Sequence, residues 1–273
     1  MKKVILITGA SSGIGKVAAF KLIKEGHTVY GAARRVKEMD DLVQAGGHAI
    51  KLDVTDPEQI KAAVEQVIAE QGKIDVLFNN AGYAVYGAVE TVSIEDAKRQ
   101  FNVNIFGLAE MTKAVLPHMR KQNSGTIINT SSMGGRMYTP LGAWYHATKH
   151  ALEGWSDCLR LELKQFNINV VVIQPGGIHT EFADVLYDPM VKRAQGTVYE
   201  TMTNTMAAAT KEMYGKPGTL SPPSVIADLV SKAVNSSKPK TRYVAGKFAK
   251  PMMFIRKYFG DRIFDKIITS TAR

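Results

Sequence analysis

The chain has 273 residues, enough for one large domain with a substantial core, and its 45% apolar and 22% charged residues exclude a disordered or fibrous polymer. Its single Cys158 excludes an internal disulfide, and no run approaches the ~18 consecutive apolar residues of a membrane-spanning helix. The net charge of +10 is not a nucleic-acid signature, because residues 238–273 carry ten Lys or Arg against two Asp, which is +8 of it and leaves +2 for the rest.

In chain order, Met1–Ile7 imitates a secretory leader, but the apolar run stops at Thr8-Gly9, short of the ~7–15 residues required, so Val4–Thr8 reads as a first β-strand. Helical periodicity follows over Ile14–Lys24, then a β-branched run over Thr28–Ala32 and a third strand over Ala49–Leu52. A helix over Pro57–Gln71 and a strand over Val76–Asn79 precede a long helical stretch, Ile94–Lys121. Asn104 interrupts that stretch; asparagine is a weak helix former and marks a local distortion or a bound water. Strand Thr126–Thr130, helix Trp144–Phe166, strand Asn169–Ile173 and strand Arg242–Ala245 complete the alternation. The expected fold is α/β, a doubly wound parallel sheet with helices on both faces and its binding crevice at the carboxyl ends of the strands. We expect one domain over 1–273, with an insertion at 181–224 and a basic C-terminal extension at 238–273.

The first strand runs into Thr8-Gly9-Ala10-Ser11-Ser12-Gly13-Ile14-Gly15. Glycines let such a turn approach a pyrophosphate closely, and the free N–H groups at a helix start attract its charge. This marks Gly9, Ser11, Ser12, Gly13, Ile14 and Gly15 as cofactor-binding. The second strand ends Ala33-Arg34-Arg35, where an NAD enzyme would place an acid for the ribose 2′-hydroxyl. Arg34 instead suits the 2′-phosphate of NADP(H), which is expected to be preferred over NAD(H).

Tyr145 and Lys149 stand at i and i+4 of one helix and share a face. A phenol of pKa ~10 is a poor base at neutral pH, and a neighbouring ammonium and a cationic nicotinamide ring both favour the phenolate; a shift of ~2 to 3 units needs roughly 3 to 4 kcal/mol. Tyr145 can then donate a proton in carbonyl reduction and accept one in alcohol oxidation. Ser132, just after a strand, can hold the substrate oxygen beside it.

With Thr8–Gly15, Asn79-Asn80-Ala81-Gly82, Asn104, Ser132, Tyr145-x-x-x-Lys149 and Pro175-Gly176-Gly177-Ile178-His179-Thr180 together, the chain resembles the short-chain dehydrogenase/reductase family over nearly its whole length. The resemblance implies a Rossmann-like, three-layer α/β/α fold and a catalytic tetrad. In that tetrad Ser132 orients the carbonyl, Tyr145 is the acid/base, Lys149 binds the nicotinamide ribose and lowers the tyrosine pKa, and Asn104 holds a water in a proton relay. It also implies that Asp53, with Val54, contacts adenine, that Asn80, Ala81 and Gly82 flank the cofactor, and that Pro175, Gly176, Ile178 and Thr180 hold its carboxamide end. Many NADP-dependent members carry a basic residue where Ser12 stands, so Arg34 bears the NADP inference almost alone. Similarity to hydroxysteroid-, retinol- and acyl-dihydroxyacetone-phosphate-reductase-like members implies a hydrophobic small-molecule ketone or alcohol, and family habit implies a homodimer or homotetramer; the lone thiol is what a reducing cytosol permits, so a cytoplasmic location is expected.

The same residues admit other readings. Gly9-Ala10-Ser11-Ser12-Gly13 also fits a serine-hydrolase elbow with Ser11 as nucleophile, which leaves Gly15, Arg34 and Tyr145/Lys149 without a role. A non-catalytic NADP-binding redox sensor has no need of the tyrosine and lysine pair. His146 and His150 share metal-ligand spacing but lack an acidic partner, so no metal is expected. Cys158 reads as a packed core or interface residue. The Met residues at 190, 202, 206 and 213 suit either a deformable cover over an oily substrate or ordinary core packing. In the tail, Ile255, Phe259, Ile263 and Ile267 with interspersed Arg and Lys suit either a terminal helix packed on protein or weak contact with anionic lipid.

Overall fold

The computed structural model describes residues 1–182 and 186–270; residues 183–185 of the expected insertion and 271–273 of the basic extension lie outside the described residues. Seven strands form one sheet: β1 (Val4–Thr8), β2 (Thr28–Ala33), β3 (His48–Lys51), β4 (Val76–Asn79), β5 (Gly125–Thr130), β6 (Ile168–Pro175) and β7 (Arg242–Ala245). Their order is β3-β2-β1-β4-β5-β6-β7, and every pairing is parallel.

A parallel sheet buried on both faces needs near-continuous apolar strands rather than alternating ones. β1 shows this, with all five residues buried. Ile5 and Ile7 enter a core beneath α1 (Gly13–Lys24), α2 (Asp40–Gln44) and α9 (Ser224–Asn235), while Val4 and Leu6 enter a second core under α3 (Pro57–Gln71), α5 (Leu108–Gln122) and α6 (Ala143–Leu163). The result is the expected three-layer α/β/α sandwich. Strand order reverses between β1 and β4, and a doubly wound sheet has its ligand crevice at the carboxyl ends of the strands where that reversal falls.

Local chemistry sets the helix limits. Asp56 caps α3 by accepting from the Glu58 and Gln59 N–H groups at 3.0 and 3.2 Å, Pro57 occupies the first turn, and Gly72 closes the helix at φ 73°. The predicted single helix over Ile94–Lys121 is divided: α4 (Ile94–Phe101) and α5 are joined by a π-helical turn, Asn102–Gly107. A Cβ on Gly107 would lie 2.3 Å from the Val54 carbonyl, so this turn requires glycine to approach the loop after β3. The expected insertion contains two helices, α7 (Tyr187–Ala194) and α8 (Glu200–Gly215). The basic end forms α10 (Ala249–Tyr258) and α11 (Gly260–Ser270), separated by Phe259, with Gly260 turning the chain at φ 73°.

Candidate active site

The crevice is built first by backbone. Gly9 adopts φ 68°, and a Cβ there would lie 2.9 Å from Ala81 Cα; a Cβ on Gly15 would lie 2.3 Å from the Gly9 carbonyl oxygen. Neither position tolerates a side chain, because the turn after β1 folds onto both α1 and the loop after β4. Thr8 Oγ1 locks that arrangement by accepting from the Asn80 and Ala81 N–H groups, each at 3.1 Å, and Asn80 Nδ2 donates to the Gly9 carbonyl at 3.1 Å. Ser12 stands at the start of α1 in extended conformation and makes no side-chain cap, so the first-turn amides keep their donors for an anion. Thr180 reaches the same place from the loop after β6: a Cβ on Gly13 would lie 3.5 Å from it. Gly176 follows Pro175, the last residue of β6, and a Cβ there would lie 2.3 Å from the Lys247 carbonyl oxygen; Ile178 is buried in the core below. The structure thus gathers Gly9–Gly15, Asn80–Gly82 and Gly176–Thr180 at one end of the sheet.

At the end of β2, Arg34 is exposed and Arg35 crosses the turn: its guanidinium donates to Ser12 Oγ at 3.1 Å and Ser11 Oγ at 3.4 Å, and pairs with Glu38 at 3.1 Å. The expectation that Arg34 stands almost alone is therefore corrected, since the cation over the first turn is Arg35. Adjacent arginines were visible in the sequence; which one faces the turn depends on the chain direction after β2. Ser11 has this arginine as its partner and no histidine among the described residues, which deprives the hydrolase reading of its base. Asp53 accepts from the Thr55 N–H and hydroxyl at 2.9 and 2.8 Å, ordering the loop whose Val54 packs on Gly107.

The residues expected to handle the proton sit beyond β5. Ser132 begins a short 3₁₀ turn (Met133–Gly135), accepts from the Gly134 N–H at 3.0 Å, and acts on the Tyr145 phenol from beside it. Lys149, 6% exposed, donates to the Thr130 carbonyl at 2.9 Å, and its Nζ lies 5.8 Å from the Tyr145 ring centroid. Burial lowers Lys149 to about 8 against the partial compensation of Glu153, one turn further along α6. Burial likewise pushes Tyr145 up to about 12, opposed by Ser132. In the chain by itself the phenol therefore stays protonated at neutral pH, because desolvation disfavours the phenolate.

Asn104 lies in the π-turn, so the predicted distortion is real. Its Oδ1 accepts from the Tyr83 N–H at 3.1 Å, and its Nδ2 donates to the Tyr83 carbonyl at 2.9 Å and to Thr148 Oγ1 at 3.2 Å; Thr148 in turn donates to the Tyr145 carbonyl at 2.8 Å. The side chain ties the loop after β4 to α6 and has its donors fully used. His146 is also occupied: Nδ1 contacts the Gly134 carbonyl at 2.9 Å and Nε2 accepts from the Thr139 N–H at 3.0 Å, so it orders the 132–142 loop and offers no ring nitrogen to a metal shared with His150. Cys158, expected in the core or at an interface, is exposed on α6, which rules out the core.

Sequence reasoning missed the walls of the site. Tyr86 and Phe182 place ring centroids 5.8 and 5.9 Å from Tyr145. Tyr86 also belongs to a third apolar cluster with Leu141, Met190, Tyr187, Met202 and Met206, so three of the four singled-out Met residues pack together beside Tyr145. Leu141 holds φ 61°, a strained conformation for a branched side chain, and its carbonyl accepts from the Gly87 N–H at 2.8 Å.

Comparison with known proteins agrees with this geometry. Residues 3–190 match the family described as short chain dehydrogenase. The chain belongs to the short-chain dehydrogenase family. It is an oxidoreductase of that type. A 3-ketodihydrosphingosine reductase of Bacteroides thetaiotaomicron is 47% identical over 182 residues, 67% of this chain and 66% of that protein, so the chain spans just under two thirds of that relative's length. A short-chain dehydrogenase from Streptomyces avermitilis superposes with a TM-score of 0.79 at 32% identity, covering 99% of each chain. An actinorhodin polyketide ketoreductase with NADPH superposes with a TM-score of 0.76 at 29% identity, covering 89% of this chain and 95% of that one.

Proposed function

We propose that this short-chain dehydrogenase transfers a hydride between NADP(H) and the carbonyl or secondary alcohol of a hydrophobic substrate of steroid, retinoid or acyl-ketone type, with Tyr145 as acid/base. The observation that carries the reading is the convergence of Ser132 and Lys149 on Tyr145, with Lys149 Nζ 5.8 Å from its ring, at the end of the sheet where the glycine turn lies. A nicotinamide supplies the hydride in reduction and accepts it in oxidation. The chain's own part is to place the substrate oxygen at the Ser132 and Tyr145 hydroxyls and to pass it a proton from Tyr145 Oη. A tyrosine pushed up to about 12 is protonated at neutral pH, the state that carbonyl reduction needs. Lys149 is then the cation for the ribose hydroxyls, and Asn104, its side chain spent on Tyr83 and Thr148, supports a relay water through its main chain.

The uncapped start of α1 fits a pyrophosphate, and Arg34 and Arg35, with no acid at the end of β2, suit a 2′-phosphate. The neighbour holding NADPH adds support. A hydrophobic substrate is supported by Tyr86, Phe182 and the Met-containing cluster around Tyr145, with α7 and α8 as its lid, and by the relative whose name specifies a keto compound. Exposed Ile94, Phe106 and Leu161 support a homodimer or homotetramer.

Replacing Tyr145 with Phe keeps the ring and removes the proton. Turnover of a ketone substrate should fall by a factor on the order of 10² to 10⁴ with NADPH binding retained; unchanged kcat would refute the assignment. Removing both guanidiniums (Arg34→Ala with Arg35→Ala) should raise the Kd for NADPH at least tenfold and leave NADH little changed. An equal loss for both cofactors would refute the 2′-phosphate assignment.

A further inference from the structure

The apolar stripe of the basic tail does not pack on its own domain. Of thirteen exposed large apolar residues among those described, six fall between Phe248 and Ile267. Phe254 is 56% exposed, Phe259 52%, Ile263 45% and Ile267 38%. The helices are held by few anchors, chiefly Ala249 in α10 and Phe264 in α11. Around the exposed residues stand Lys247, Lys250, Arg256, Lys257, Arg262 and Lys266 against Asp261 and Asp265, a local charge of +4. Both acids are already engaged, Asp261 by Arg256 at 2.7 Å and Asp265 by the Tyr138 hydroxyl at 2.9 Å. The other five cations have no ion pair among the described residues.

We propose that α10 and α11 form an interfacial anchor that binds the surface of an anionic bilayer and holds the rim of the active site against it. Aromatic and aliphatic groups interleaved with unpaired cations fit the acyl and headgroup layers of such a surface. A second copy of the chain fits less well. A two-fold contact would set each +4 face against itself, and lysine is depleted from interface cores. No helix among the described residues is long and apolar enough to cross a membrane, so the contact lies on the surface.

The anchor is joined to the site through Tyr138. Its ring lies 5.1 Å from Phe264 in edge-to-face geometry, and the Arg256 guanidinium sits 5.1 Å from it on the other helix. Tyr138 belongs to the 132–142 loop, which also carries Ser132 and Leu141. A cavity of about 460 Å³ opens between this loop and α6, lined by Tyr138, Leu141, His146 and His150. A bilayer held at α10 and α11 therefore faces the entrance through which an apolar substrate would reach the cluster around Tyr145. That last step rests on the oxidoreductase reading; the bilayer contact does not.

The test is sedimentation of the full chain with vesicles of phosphatidylcholine alone or with 30% phosphatidylglycerol. Binding is expected to the anionic vesicles only and to be lost in high salt. At roughly fivefold per basic residue near the surface, the triple variant Lys257→Glu, Arg262→Glu and Lys266→Glu should weaken it on the order of a hundredfold or more. Phe259→Ser with Ile263→Ser should weaken it without changing the salt dependence. Both variants should keep wild-type turnover of a water-soluble ketone. Absence of binding, equal binding to neutral vesicles, or a change from dimer to monomer in the Phe259→Ser, Ile263→Ser variant by light scattering would overturn the proposal. Sedimentation needs no turnover, so its failure leaves the oxidoreductase reading intact, and an active Tyr145→Phe variant would leave the anchor intact.

Discussion

Lys149 carries an ammonium into a site that burial makes hostile to charge, and the cost should be measurable as pH-dependent stability. Its folded pKa of about 8 lies below the ordinary 10.5. Between those values the unfolded chain holds a proton that the folded chain has released, so stability rises with pH across that window; below about pH 8 both states are charged and the full penalty persists. The gap corresponds to about 3 kcal/mol, of which about 2.5 kcal/mol is recovered between pH 7 and pH 10. Urea unfolding of the wild type and of Lys149→Met at pH 7, 8, 9 and 10 isolates the effect, because other titrating groups, Tyr145 included, are present in both chains. The difference, wild type minus variant, should climb by about 2.5 kcal/mol over this range. The absolute offset is less informative, since methionine also leaves the Thr130 carbonyl without its donor. A flat or falling difference would refute the claim that desolvation dominates at Lys149.

Two further outcomes follow from the same geometry. Gly15→Ala places a Cβ 2.3 Å from the Gly9 carbonyl oxygen, so backbone must move; NADPH binding by calorimetry should be lost, and the melting temperature should fall by several degrees. Glu153→Gln removes the carboxylate that pairs with Arg136 at 3.0 Å and Arg242 at 2.9 Å. Asp157 still holds Arg242 and Arg136 can turn to solvent, so the cost should be about 2 kcal/mol in urea, below that of a fully buried pair. The same variant removes the anion that raises Lys149, so the lower edge of the pH window described above should move to lower pH while its upper edge stays at the unfolded value; an unmoved lower edge would show that Glu153 does not act on Lys149.

The layers of the fold were legible because periodicity reports which side of an element is apolar. β1, β4 and β7 match their predicted limits residue for residue, and α3 is bounded by Pro57 and Gly72, whose effects on the backbone are local. Asn104 signalled a distortion but not its kind. A π-turn depends on what the widened backbone meets, here Val54 from a different loop, against which only a glycine at 107 can pass.

Side-chain direction within one element was readable as well, which is why Tyr145 and Lys149 could be put on one face of α6. What stands opposite them could not be read from α6. The tyrosine pKa is raised chiefly by burial, and the rings that pack near it, Tyr86 and Phe182, come from loops after β4 and β6. Arg34 and Arg35 differ by one position, yet only the path of the chain after β2 turns Arg35 toward Ser11 and Ser12. The tail shows the same limit most clearly. A stripe at four-residue spacing looks identical whether it packs on protein or faces outward. The distinction is made by Tyr138, which bonds Asp265 from 127 positions away and takes Phe264 as its ring partner. That contact turns Phe264 inward, and helix geometry then leaves Ile263 and Ile267 outside it, half exposed beside unpaired cations.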